Sequence, residues 1–253
     1  MPDDNKEVYS TVEFDSWAHR GGLIPSERIL FERFLNLGAE TVEAGTSGGR
    51  ILLELQKRGG HRLWGFDYVP AFIEQAKKRD LSGEITFAVM DAARLDYPDA
   101  KFQQIIYLQQ IISLIESAEG RLHAVKEAHR ILKPGGTAFF SFLCAESREQ
   151  SFAYQCFFKW IRLLRAVRST GIAIQYQPWL RLGGKFNWSA LRDATPHVYW
   201  YKAAEAEAML VAAGFKVVAV GTDAQVEGEA MRESARLLHG AQMRGHLYFV
   251  CAK

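Results

Sequence analysis

The sequence predicts an α/β protein, a doubly wound and mostly parallel sheet with helices on both faces. Three observations predict it. Strand-like apolar runs alternate with helix-like runs along most of the chain. The first three strands each end in an acid, at Glu43, Asp67 and Asp91. A glycine-rich turn, Gly45-Thr46-Ser47-Gly48-Gly49, links the first strand to a helix, the opening of a nucleotide-binding α/β unit.

Residues 1–20 are polar, with scattered aromatics at Tyr9, Phe14 and Trp17. A helix is expected from Ser26, with Pro25 before it and Ile29, Leu30, Phe31, Phe34 and Leu35 on its apolar face; Gly38 stops it. The first strand, 40–43, leads into the glycine turn and a helix over 51–58. Glycine is needed in such a turn because the chain reverses tightly and a ligand must come close to bare backbone. The helix behind it presents unpaired N–H groups. A second unit follows, with a strand over 62–66 ending at Asp67 and a helix over 71–79 started by Pro70. The third strand, 85–90, ends at Asp91, and the fourth, 104–108, runs into Gln109-Gln110.

Residues 119–132 form a helix with Leu122, Val125, Ala128, Ile131 and Leu132 on one side. It stops at Lys133-Pro134-Gly135-Gly136, where proline lacks a donor and glycine tolerates positive φ. The fifth strand, 137–143, is apolar almost throughout, as a strand covered on both faces should be. Residues 145–201 interrupt the rhythm with an aromatic, net basic insert. Alternation resumes with a helix over 203–213, a strand over 215–220, a short helix around 231–238 and a last strand over 246–251.

Bulk properties exclude several classes. The 253 residues fit one large α/β domain, or one domain with an inserted subdomain. Apolar and charged fractions of 48% and 24% are those of an ordinary globular chain, which sets disorder aside. A net charge of +2 argues against a dedicated nucleic-acid binder. Cys144, Cys156 and Cys251 are odd in number and widely spaced, so no disulfide framework and no metal motif is expected, and the thiols suit a reducing cytoplasm. Met1-Pro2-Asp3-Asp4 is acidic and lacks the apolar core of a signal peptide. No apolar run reaches the length of a membrane span.

In a parallel sheet the three strand-end acids point to one edge and line one cleft. There, carboxylates accept hydrogen bonds from ribose hydroxyls, an amino group or an exocyclic amine. A single such acid is usually a cap or turn former; three in register, one of them attached to a glycine turn, reverse that preference. A dinucleotide site wants G-x-G-x-x-G, and Gly45, Gly48 and Gly49 do not fit that spacing.

The chain resembles the class I S-adenosylmethionine-dependent methyltransferases. The resemblance is carried by Glu43–Arg50, Gly65-Phe66-Asp67, Met90-Asp91-Ala92 and Leu132–Gly136. The family's acid-x-Gly-x-Gly-x-Gly is matched at Glu43, Gly45 and Gly49, with Ser47 replacing the middle glycine. The resemblance implies a Rossmann-like, seven-stranded sheet with the last strand antiparallel, plus a helical and aromatic cap. It implies that residues 1–39 cover the cofactor cleft. Residues 40–253 would form the methyltransferase domain, with 145–201 as an inserted acceptor-binding cap. It further implies S-adenosylmethionine as donor and S-adenosylhomocysteine as product. By position, Glu43 and the Gly45 backbone would hold the methionine amino group, and Asp67 the ribose. Tyr68 would lie beside the adenine, while Asp91 and the Ala92 backbone would meet the adenine amine. Gln109 would sit under the methionine end, and Trp17 or Tyr9 would add an N-terminal contact.

A general base is needed only where the acceptor loses a proton; the candidates are His19, His197 and Tyr199. Within the insert, Phe152, Cys156, Trp160, Leu163, Leu164 and Val167 fall on one helical arc opposite Gln155, Lys159, Arg162, Arg165 and Ser169. The favoured reading is a cap helix packing that arc on the domain; the alternative is peripheral contact with a membrane surface. Trp179, Phe186, Trp188, His197, Tyr199, Trp200 and Tyr201 offer an aromatic acceptor pocket. The expected acceptor is a small, partly apolar molecule methylated at oxygen, nitrogen or carbon. Two alternatives stand beside it: a cofactor-binding protein without turnover, and methylation of RNA or lipid through the basic insert.

Overall fold

The computed structural model describes residues 4–253; the first three residues, on which the signal-peptide argument partly rests, lie outside the described residues. The elements run α1 (Asn5–Ser10), α2 (Phe14–His19), α3 (Pro25–Phe34), β1 (Thr41–Ala44), α4 (Arg50–Lys57), β2 (Leu63–Asp67), α5 (Pro70–Arg79) and β3 (Thr86–Val89). They continue with β4 (Phe102–Tyr107), α6 (Ile111–Leu114), α7 (Ala118–Ile131), β5 (Leu132–Leu143), α8 (Ala145–Glu149) and α9 (Phe152–Arg168). After four short strands, β6 (Tyr176–Pro178), β7 (Arg181–Leu182), β8 (Lys185–Phe186) and β9 (His197–Tyr199), come α10 (Ala203–Ala212), β10 (Lys216–Thr222), α11 (Asp223–Glu227) and β11 (His246–Ala252).

Seven strands form the central sheet in the order β10-β11-β5-β4-β1-β2-β3. Neighbours from β3 to β5 are parallel, and β11 lies antiparallel between β5 and β10. The chain starts in the middle of the sheet, at β1, and winds outward both ways. Its carboxyl edge therefore has a switch point between β1 and β4, where open α/β sheets bind ligands.

The period of two in the strands explains why both faces are covered. Ala138 and Phe140 of β5 join one core cluster with Phe66, Tyr107 and Phe249. Phe139 between them joins the other, with Leu30, Leu52, Ile106 and Val250. Helix α7 ends at Ile131, as its proline and glycines require, but residues 132–136 enter β5 directly through a bulge rather than forming a free turn. The Gly135 N–H donates to the Lys253 carbonyl at 3.0 Å.

Three local expectations are corrected. Residues 4–20 hold two short helices; Asp4 caps α1 through the Glu7 N–H, a local signal that a scan for long periodic runs passes over. The helix expected around 231–238 is only a 3₁₀ turn, Ala235–Leu238. The helix of that region is α11, fixed by a capping box between Thr222 and Gln225. Helix α9 forms in the insert but rotated from expectation. Phe152, Cys156, Trp160, Leu163 and Val167 face outward, while Ile161 and Arg165 turn in. The inward arc has its own apolar set, Tyr154, Phe157, Phe158 and Ile161, so both arcs satisfy a helical period and periodicity alone does not choose between them.

Candidate active site

A cleft of about 370 Å³ opens at the carboxyl ends of β1, β2 and β4. One wall is the glycine turn. Gly45, Ser47 and Gly49 have φ of 60°, 49° and 78°, so the left-handed region is used three times in five residues. Gly48 is required for a different reason. A Cβ there would stand 2.1 Å from the Ala18 carbonyl oxygen, because α2 lies directly on the turn. Arg79 of α5 fixes that contact, donating to the carbonyls of Ala18 at 2.9 Å, Gly48 at 2.7 Å and Arg20 at 2.8 Å.

The strand-end acids divide into two kinds. Asp67 is buried, and its carboxylate accepts from the Ser47 N–H at 2.9 Å and the Val69 N–H at 3.0 Å. Burial raises its pKa to about 6 against those backbone donors. Glu43 is buried beneath the turn and accepts from the Thr46 hydroxyl at 2.7 Å. Burial is the main cause that pushes its pKa to about 8, against the Thr46 bond and the Arg50 charge. Asp91 is exposed and accepts from the Ala93 N–H at 2.8 Å. Asp67 and Asp91 make an acidic floor, with Glu43 beneath it, suited to hydroxyl and amine donors.

Behind this floor sits a buried ion pair absent from the sequence-level site. Arg50 meets Glu27 through two bonds of 2.7 Å, and its Nη1 also donates to the Gly22 carbonyl at 2.7 Å. Gln109 donates to the same Glu27 carboxylate. Gln109 and Gln110 both have positive φ, 55° and 61°, so the chain turns sharply just past β4. Glu27 shows in the sequence only as a helix-start acid; its bond to the Ile24 N–H at 3.0 Å is the part that position implies.

The structure brings Gly45, Ser47, Asp67, Tyr68, Asp91, Ala92, Gln109 and Trp17 to the lining of this one cleft. Glu43 and Gly49 lie behind the lining, Glu43 bonded to Thr46 and Gly49 beside Phe87 and Ala76. The three candidate bases do not join them. His19 is exposed and 3.3 Å from Gln75; His197 is bonded to Asp193 at 3.0 Å; Tyr199 donates to Glu205 at 2.5 Å and is covered by the Arg121 guanidinium. The aromatic acceptor pocket also disperses. Phe186 and Trp188 are surface residues, and Tyr201 is in the core.

The roof of the cleft is N-terminal. Asn5, Lys6 and Tyr9 of α1 line it with Trp17. Asn5 is a buried joint whose amide donates to the Leu114 and His197 carbonyls and accepts from the Trp179 indole at 2.9 Å. Tyr9 packs edge-on to Trp179. Asn5 carried no signal in the sequence, because a lone asparagine on a six-residue helix resembles any surface amide.

A glycine turn, strand-end acids and a seven-stranded sheet with one antiparallel strand define the class I methyltransferase fold. Residues 42–136 match the methyltransferase domain family. The chain is 25% identical over 149 residues to a phosphoethanolamine N-methyltransferase of Plasmodium falciparum, a match covering 58% of this chain and 55% of that protein. The chain thus spans about half the length of that curated relative. Its fold is that of the CcbJ methyltransferase of Streptomyces caelestis, with a TM-score of 0.66, 16% identity and 98% of both chains covered. It is also that of magnesium protoporphyrin IX methyltransferase from Synechocystis, solved with S-adenosylhomocysteine bound, with a TM-score of 0.57, 13% identity and 98% and 97% of the two chains covered. At those identities the two solved structures speak for the fold alone. Residues 42–136 are thus a methyltransferase domain of the class I S-adenosylmethionine-dependent kind, for which the methyl donor is S-adenosylmethionine and the product S-adenosylhomocysteine.

No helix among the described residues is long and apolar enough to cross a membrane. No group of three or more His, Cys, Asp or Glu side chains among them is placed to hold a metal ion.

Proposed function

We propose that this protein transfers the methyl group of S-adenosylmethionine to a small, partly apolar acceptor at oxygen, nitrogen or carbon. The observation that carries the reading is the convergence of eight of the ten sequence-chosen cofactor residues on one cleft. The residues suit the donor. A buried Glu43 with a raised pKa has no cation bonded to it, since the Arg50 guanidinium is bonded to Glu27, and an ammonium group placed near it would favour its charged form. Asp67 would take ribose hydroxyls, with its carboxylate already oriented by two backbone N–H groups. Tyr68, Asp91 and the Ala92 backbone would bound the adenine, and Gln109 the methionine end. Trp17 would close the cleft from α2.

The sulfonium supplies an electrophilic methyl, so the protein's work is to bind, align and exclude water. The N-terminal roof serves exclusion. None of His19, His197 and Tyr199 lines the cleft, so an acceptor that must lose a proton would have to give it to one of the carboxylates that do, such as Asp91 or Glu116. The same observation supports a second reading, cofactor binding without turnover. A cytoplasmic setting fits the three unpaired thiols.

Titration calorimetry with S-adenosylmethionine, followed by an S-adenosylhomocysteine assay on a metabolite panel, separates the two. Micromolar binding with product on an amine or hydroxyl acceptor supports transfer. Binding without product across the panel selects the second reading. Asp67→Ala should raise Kd at least about tenfold, the scale of losing charge-assisted hydrogen bonds; an unchanged Kd removes Asp67 from the ribose role.

A further inference from the structure

The outward side of α9 differs from an ordinary solvated helix face. Phe152, Cys156, Trp160, Leu163 and Val167 recur at steps of three and four residues and share one arc. Phe152 is 79% exposed, Val167 76% and Leu163 58%. The opposite arc anchors the helix. Ile161 is fully buried, and Arg165 grips Asp193 through bonds of 2.6 and 2.7 Å between two buried side chains. The helix is thus held from one side while it presents an apolar ridge on the other.

The ridge extends beyond the helix. The Trp160 indole donates to the Leu191 carbonyl at 2.7 Å, and Leu191 is itself exposed. Just before it, Trp188 is 74% exposed and meets the Phe186 ring edge-on at 4.9 Å. Isolated exposed apolar residues need no explanation, but a contiguous set of them marks a contact surface.

Charge decides what the surface meets. Lys159 and Arg162 are exposed along the border of the ridge, and Arg168 stands exposed at its end. Helix α9 contains no aspartate or glutamate. The adjoining segment adds exposed Arg181, Lys185 and Arg192. A second copy of this chain would set these cations against their own counterparts, with no acid on the helix to meet them. A bilayer with acidic headgroups offers what the surface lacks: an apolar interior for the ridge and negative charge at the level of the basic border. Tryptophans on the ridge suit that boundary, since indole pairs an apolar body with a polar N–H.

We propose that α9 is a membrane-docking helix that seats this protein on the surface of an anionic bilayer. The seating does not depend on what the protein methylates. It puts the bilayer beside the insert that α8 joins to the carboxyl end of β5, the sheet edge that carries the cleft.

The test is co-sedimentation of the full chain with phosphatidylcholine vesicles, with and without phosphatidylserine. The expected result is binding to the phosphatidylserine vesicles and little to the neutral ones. Two double variants, Phe152→Asp with Val167→Asp and Lys159→Glu with Arg162→Glu, should each lower vesicle affinity by about tenfold or more. Both should keep the wild-type Tm, because the altered side chains are exposed. Wild-type protein that stays in the supernatant with both vesicles overturns the proposal, as does undiminished binding by both variants. A dimer seen by light scattering and abolished by Phe152→Asp, without vesicle binding, would assign the ridge to a second copy. Retention on single-stranded RNA without vesicle binding would assign it to nucleic acid.

Discussion

At the scale of single residues, Glu43 and Ser47 carry the most consequence. Glu43 has an ordinary pKa of 4.5 when unfolded and about 8 when buried. Between those values the folded chain holds a proton that the unfolded chain has released, so stability falls as pH rises through the window. Asp67 acts likewise between 3.8 and about 6. The stabilisation is complete below both unfolded values and is lost last through Glu43. Urea unfolding of ligand-free protein from about pH 5 to about pH 8 should show this decline, and Glu43→Gln should flatten its upper part. A variant with the wild-type slope would mean that Glu43 titrates normally.

Ser47 stands where the family pattern has glycine, and its φ of 49° shows why glycine suits that place. A left-handed serine costs about 1–2 kcal/mol, partly offset by its lower entropy in the unfolded chain. Ser47→Gly should therefore stabilise the protein by about 0.5–1 kcal/mol in urea melts and leave cofactor affinity within a factor of about three. Destabilisation would show that the serine hydroxyl has a partner worth more than the strain.

At the scale of elements, α2 is held on the cleft through one guanidinium. It rests on Gly48, and the Arg79 guanidinium joins three carbonyls to hold it there. Arg79→Met keeps the aliphatic stem on α5 but leaves those acceptors unpaired, at about 1–3 kcal/mol for each buried group. The expected outcome is faster proteolysis between residues 11 and 22 and a cofactor Kd raised about tenfold. Equal cleavage rates would mean that aromatic packing at Phe14 against Phe72 suffices. Helix α9 makes the complementary point. Its sequence predicts a helix, and it is one, but its free energy comes from the Ile161 and Arg165 side rather than from the arc that looks more apolar on a wheel.

At the scale of the whole molecule, the insert and the N-terminus form one roof. Trp179 bonds Asn5, and the Gly183 N–H donates to Glu13 at 2.6 Å. Tyr201, just past β9, is buried in the main core against Phe142. Removing residues 147–199 should then weaken cofactor binding as well as abolish transfer, because α1 loses its outer support. Retained wild-type affinity in the truncated chain would show that α1 holds its place on the cleft alone.

The sheet and its cleft were legible because local rules set them. Strand-end acids, helix stops and a glycine turn act within a few residues, and right-handed crossovers then leave little choice of topology. The sequence by itself determined the alternating architecture, the antiparallel last strand through its family pattern, and the residues that meet at the strand ends. Only the tertiary structure decided which arc of α9 is buried, that Glu27 pairs with Arg50, and that His197 and Tyr199 serve packing rather than the cleft. Those choices depend on long-range partners such as Asp193, Gln109 and Arg121, separated by many residues from the groups they fix. Periodicity records that a helix has a face, whereas the free energy of that face depends on what the rest of the chain brings to it.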